Sequence, residues 1–271
     1  MTHRRWLAVA VAGLLLVRCT VSLVASIGCR ADLACAVISR APAQMFDTWA
    51  QLVMVIGIAV GVAWGARLTW VMVAAAKALV RLPRMEAGPA LSELARRAHV
   101  QRLTLLDVDT PRAFCAGAWR PTVFVSRGLV QRLREPELLA VLWHEGCHAR
   151  RHDPLRRASY RTVATLLRPV TVVQWWVEQR LNRAELLADR LAMRHAGAPA
   201  LAGALWSAGS AITPHGALGF GEAGPLRVAQ LLGDPLPRQR PPMTLWVNST
   251  VSAIMIVAIT ACLAGGLAAL L

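Results

Sequence analysis

Lysine is almost missing from this chain: Lys77 is the only one among 30 basic residues, and the rest are Arg. With so much Ala beside it, that bias reads as GC-rich coding, and nothing functional follows from Arg over Lys. Acidic residues are scarce as well, 15 in 271 residues, leaving a formal net charge of +15. Six Cys are too few for a disulfide scaffold. No internal repeat and no Gly-rich phosphate loop is present. What is abundant is apolar: 56% of residues are hydrophobic and the mean hydropathy is +0.46. A soluble domain is about 45–50% apolar, and a disordered basic tail would be poor in apolar residues. Both properties coexist when they are separated along the chain, apolar spans in lipid and basic segments in water.

Three stretches are long enough to be spans, which need about 20 apolar residues. The first runs from Trp6 to about Ile27, interrupted by Arg18, and reads as an uncleaved anchor rather than a signal peptide. The second begins near Trp49 and continues past Arg67 to Ala76. The third follows Arg240, with no charge from Pro241 to Leu271. Between them, Lys77 to Arg240 carries 24 basic against 13 acidic residues. Positive charge stays on the cytoplasmic side. The expected organisation is therefore two N-terminal transmembrane helices over 1–76, a cytoplasmic domain over 77–240 and a C-terminal span over 241–271. The chain is expected in the inner (plasma) membrane, multi-pass, with the lipid bilayer as one partner. Cys29 and Cys35 fall in the external loop and could pair there.

The chemistry sits in Leu142-Trp143-His144-Glu145-Gly146-Cys147-His148, an H-E-x-x-H match expected by chance about 0.005 times in a chain of this composition. Glu135, Pro136 and Glu137 mark a helix start, and Asp153-Pro154 marks its end. On that helix His144 and His148 lie one turn apart on one face, so both imidazoles can reach one Zn²⁺. Glu145 is placed to hold the attacking water rather than the metal. A catalytic zinc takes three protein ligands and keeps an open position. Downstream, Glu185 and Asp189 are again four apart on a predicted helix. Glu185 would be the third ligand, and Asp189 would accept a hydrogen bond from a ligand His and fix its tautomer.

One further apolar run, Thr162 to Val177, contains Arg168 and Pro169. If it crossed the bilayer, Glu185 would lie opposite His144 and His148. It is therefore expected to be a buried helix, an interfacial helix or a re-entrant hairpin, with Trp175 and Trp176 suited to an interface.

These residues resemble the gluzincin membrane metallopeptidases of the BlaR/MecR type and, more distantly, the HtpX and CAAX-prenyl-protease type. The resemblance runs from about Leu91 to about Leu232. It includes Pro111–Gly117 with Arg120–Ser126 as a hairpin before the catalytic helix, His148–Pro154 after the motif, Glu185–Asp189, and Arg227–Leu232 as a final helix. It implies an α-helical integral membrane protein whose cytoplasmic domain is a mostly helical α+β gluzincin, or zincin-like, fold. It implies metal-assisted hydrolysis of a peptide bond, with Glu145 as the general base. No extracellular penicillin-binding sensor domain is seen up to Leu271, so an antibiotic-sensing role does not carry over. By analogy the substrate is a protein such as a helix-turn-helix repressor.

An oxyanion donor is expected, with His195 the first candidate and Arg190, Arg194 and Tyr160 behind it. Strand Thr122–Ser126 is expected to put Val123 and Val125 on one face and Phe124 on the other, either as a core strand or as an edge that pairs with substrate. The competing function is a membrane signalling or scaffold protein with a structural or vestigial metal site. Structural zinc needs a fourth ligand, and Cys147 is the only candidate. No direct contact with nucleic acid is expected: the basic residues are scattered, and a domain beside anionic lipid has its own reason to be basic.

Overall fold

The computed structural model describes residues 42–209, 224–235 and 240–268. The expected first span and the Cys29–Cys35 pair lie outside the described residues. Two compact units are formed. One comprises, among the described residues, 42–63, 169–171 and 242–268; the other comprises 64–168 and 172–241.

The first helix, α1 (Pro42–Val80), has 39 residues, about 58 Å at 1.5 Å per residue. Its Gly57–Val80 part is long and apolar enough to cross a membrane, and is the one such helix among the described residues. In the first unit, helix α9 (Met243–Ala268) has 26 residues and no charged side chain. The hydroxyl of Thr171 meets this helix, donating to the Leu245 carbonyl at 3.3 Å and lying 3.2 Å from Ser249 Oγ.

The second unit begins inside α1, at Trp64. A four-stranded sheet follows, of order β1-β2-β4-β3, built from Arg84–Met85, Leu103–Leu106, Ala113–Ala116 and Thr122–Ser126. Strands β2 and β4 are parallel, with Leu105 opposite Val125; β3 and β4 are antiparallel, with Phe114 opposite Phe124. Strand β4 is thus internal and cannot serve as a substrate edge. Val123, Phe124 and Val125 are all buried, because the sheet is covered on both faces at this strand; Phe124 also stacks on Phe114 at 5.1 Å. The free edge beside the cleft described below is β3.

The helices are α2 (Pro89–Arg97), α3 (Arg127–Arg132), α4 (Glu135–Arg150), α5 (Asp153–Leu166), α6 (Thr171–Ala196), α7 (Ala198–Gly209) and α8 (Gly224–Leu232). The apolar core joins β2 and β4 to α4 through Leu106, Val123, Val125, Leu129 and Leu142, all essentially inaccessible to solvent. Helix α4 starts where the sequence places it. The Arg134 N–H donates to Glu137 Oε2 at 2.9 Å and Pro136 occupies the first turn. It stops at a corner in which His152 has φ +53°, and Pro154 opens α5. The Thr162–Val177 run is divided between α5 and α6 around Pro169, and the two helices form an antiparallel hairpin: Gln174 donates to the Ala164 carbonyl at 2.5 Å, and Tyr160 packs edge-on against Trp176. The run is thus two helix ends joined at a turn rather than one continuous helix.

The turn from β4 into α3 depends on Gly128. Its N–H donates to the Val108 carbonyl at 3.1 Å, and a Cβ built there would lie 1.7 Å from Asp109 O. Backbone is the obstacle, so the clash cannot relax by a rotamer change. Gly128→Ala is expected to destabilise the unit by about 2–4 kcal/mol, read as a lowered thermal midpoint of the purified protein in detergent; an unchanged midpoint would contradict this packing.

Candidate metal centre

Helix α4 packs its apolar side on the sheet and turns His144, Glu145 and His148 to a cavity of about 1140 Å³. The cavity is bounded by the Arg67–Leu79 part of α1, by the segment Pro111–Trp119 that carries β3, and by α5 and α7. His144 Nε2 and His148 Nε2 stand 3.2 Å apart. Glu185, one turn of α6 away from Asp189, brings Oε2 to 3.5 Å from His144 Nε2 and Oε1 to 3.5 Å from His148 Nε2. All three residues are buried, and among the described residues they form the one group of such side chains able to hold a metal ion.

Two ligands held about 2.0–2.1 Å from a tetrahedral ion stand about 3.3 Å apart. The observed separations of 3.2 and 3.5 Å therefore match what such an ion requires. Glu185 Oε2 is buried without a hydrogen-bond partner, a costly state for a carboxylate oxygen unless a cation completes it. The donor set and this orphaned oxygen fit a zinc-like ion.

The next layer of contacts orients the ligands. His148 Nδ1 lies 2.9 Å from Asp153 Oδ2, hydrogen-bonded. His144 Nδ1 lies 2.9 Å from Asp189 Oδ1, at ion-pair distance but off the line of an aligned hydrogen bond. Each acid favours a proton on Nδ1 and so turns the Nε2 lone pair toward the shared centre. Arg227 of α8 forks onto Asp189, with Nε donating to Oδ2 at 2.6 Å and Nη2 to Oδ1 at 2.7 Å. Arg157 of α5 donates from Nη2 to Glu185 Oε1 at 2.7 Å, which leaves Oε2 facing the imidazoles.

The electrostatics follow. Burial works against an imidazolium at His144, but Asp189 and Glu185 outweigh it and push the pKa up to about 10. Burial works against a carboxylate at Glu185, but the two histidines hold its pKa far below the usual range. Asp189 is lowered in the same way, against burial, by His144 and Arg227. Without an ion the pocket thus keeps both acids ionised beside protonated histidines; a metal needs the neutral imidazoles, so its binding displaces those protons.

Glu145 lines the cavity, and among the described residues it has no ion-pair partner. The four residues expected as oxyanion donors are not brought to the cavity. His195 stacks on Trp143, with centroids 3.7 Å apart and planes at 8°. It lies ten residues beyond Glu185 along α6, about 15 Å further on, and Trp143 faces the core rather than the cleft. Tyr160 packs on Trp176, Arg190 reaches Gln230 at 3.2 Å, and Arg194 is exposed. Cys147 is buried in α4 outside the His144–His148–Glu185 group, so it does not close the site as a fourth ligand.

Residues 88–212 match the model of peptidase family M48. The matched segment runs from α2 to just past α7 and carries His144, Glu145, His148, Glu185 and Asp189. The M48 match supports a metallopeptidase, hence a protein or peptide substrate. Arg227 and α8 lie beyond the M48 segment, and their contact with Asp189 is a feature of the structure alone.

Sequence reasoning missed three residues: Asp153, Arg157 and Arg227. Asp153 was visible only as a helix terminator, although a carboxylate five residues after His148 is a local signal for a partner. Arg157 and Arg227 carry no such signal, because their acids lie 28 and 38 residues away.

Proposed function

We propose that this protein is a membrane-bound zinc endopeptidase. The observation that carries the reading is the convergence of His144, His148 and Glu185 on one centre whose remaining side opens to a cavity lined by Glu145. Three ligands with an open position is the catalytic arrangement, whereas a structural site is closed by four. When bound, zinc supplies a Lewis acid that polarises the scissile carbonyl and acidifies water. His144, His148 and Glu185 would hold it, and Asp189, Asp153 and Arg157 hold those three side chains in place. Glu145 takes the proton of the attacking water and passes it to the leaving nitrogen. The cavity admits an extended chain, and β3 offers a free backbone edge along it.

The membrane part of the reading rests on Gly57–Val80 and on the uncharged run after Arg240. The excess of basic residues between Lys77 and Arg240 favours a cytoplasmic active site. On the BlaR/MecR resemblance, the substrate is a cytoplasmic or membrane-proximal protein such as a helix-turn-helix repressor.

The test is metal dependence together with substrate capture. The purified protein is expected to hold one zinc per chain by elemental analysis. Stripping it with a chelator should stop cleavage, and zinc should restore it. Comparison of the proteomes of cells carrying wild type and Glu145→Gln should reveal a protein cut only in the former. A protein that binds no zinc, or cleaves equally without it, overturns the proposal.

A further inference from the structure

The cavity that holds the metal group is lined by five arginines and three acids. The acids are Glu145, Asp153 and Glu185; the arginines are 67, 112, 157, 161 and 227. Most of these charges are already matched. Arg157 is taken by Glu185 and Arg227 by Asp189. Asp153 is held by His148, with Arg151 at 3.6 Å and Arg156 at 3.8 Å. What remains is asymmetric. Among the described residues, Arg67, Arg112 and Arg161 have no acid within 4.0 Å. Against these three stands Glu145 alone, and a divalent ion at the ligands would add further positive charge.

Arg161 is the informative member. It lies four residues after Arg157 on α5, so both face the cleft, with Cβ atoms about 5–6 Å apart. Arg157 touches the ligand Glu185; Arg161 is therefore one helical turn removed from the reacting centre. Its side chain is exposed on the cleft wall; desolvation in the cleft and the like charge of Arg157 push its pKa down, and among the described residues no acid neutralises it. A residue in an extended chain advances about 3.3 Å, so one helical turn corresponds to roughly two substrate residues. Charges of one sign lining a concave surface also raise the local concentration of the opposite ion.

We propose that Arg161, with Arg112 and Arg67, forms an anion-accepting subsite of the cleft, so that the preferred substrates are peptide segments carrying Asp or Glu within about three residues of the scissile bond. This rests on the endopeptidase reading above and names the substrate chemistry for it.

Two measurements test it on the full chain in detergent. Mass spectrometry of a peptide library cut by the zinc-loaded wild type should show Asp and Glu enriched near the cut. Arg161→Glu should shift that enrichment toward Lys and Arg. Separately, a fluorescein-labelled decapeptide with two central Glu residues and its Gln counterpart are titrated into Glu145→Gln protein and followed by anisotropy. The Glu peptide is expected to bind about tenfold more tightly, as a charge-assisted contact would give. Adding Arg161→Gln should remove most of that ratio, and Arg161→Lys should keep part of it. Cleavage of neutral and acidic peptides alike, together with equal binding of the two probes, overturns the subsite and leaves the peptidase standing. No cleavage of any library peptide by zinc-loaded wild type overturns the peptidase, while the binding ratio still decides whether the cleft accepts anions.

Discussion

Glu145→Gln is expected to lower kcat by about 10²–10⁴ while leaving one zinc per chain and an unchanged thermal midpoint. Glutamine keeps the length and shape of the side chain and removes the proton acceptor. Glu145 lines the cavity but is not one of the three residues that converge on the metal position, so its amide costs no ligand. Nor does it support a buried neighbour, since no ion pair to it exists among the described residues. Loss of turnover is therefore separable from loss of metal and from loss of fold. Glu185→Ala gives the contrasting result, a fall in both zinc content and turnover, because that side chain supplies a ligand oxygen. If Glu145→Gln cut a library peptide at the wild-type rate with zinc bound, the cavity would not be running base-assisted hydrolysis. If it lost zinc as well, Glu145 would be a ligand and the geometry around Glu185 would need another role.

Periodicity carried most of this site. His144 and His148, then Glu185 and Asp189, are pairs four apart, and a helix places such pairs on one face whatever its surroundings. The ends of α4 were equally local, set by Pro136, the acids of its first turn and Pro154. What failed was everything that depends on helix phase over longer distances or on packing between elements. His195 belongs to the same helix as Glu185, but ten residues carry it round and along to Trp143. Strand β4 was legible as a strand but not as core or edge: β2 and β3 flank it, so Val123, Phe124 and Val125 are all buried. The lipid-span reading of α1 follows composition, and the Gly57–Val80 part of the helix is unburied by the rest of the protein; from Trp64 onward it also lines the cleft.

Arg227→Ala is expected to have the largest effect on stability, about 3–5 kcal/mol, with a 10–100-fold loss of zinc affinity. Asp189 is completely buried, and Arg227 itself is 9% exposed. Truncating the arginine leaves a carboxylate with no compensating guanidinium in the interior, where removing one partner costs far more than the pair contributes. The same cut frees Asp189 from the fork that orients it, and Asp189 is what aligns His144 from behind. Arg227→Lys keeps the charge but cannot form two parallel hydrogen bonds, so it should fall between wild type and alanine on both measures. Replacing Asp189 and Arg227 together by leucine separates the two effects. An apolar pair in place of a buried ion pair is close to neutral for folding, so the thermal midpoint should recover toward wild type. His144 would still lack its anchor, so zinc affinity measured against a competing chelating dye should stay low. Recovery of both together would mean that Arg227 acts only by holding α8 to α6; recovery of the midpoint alone would place the pair in the support of the metal centre.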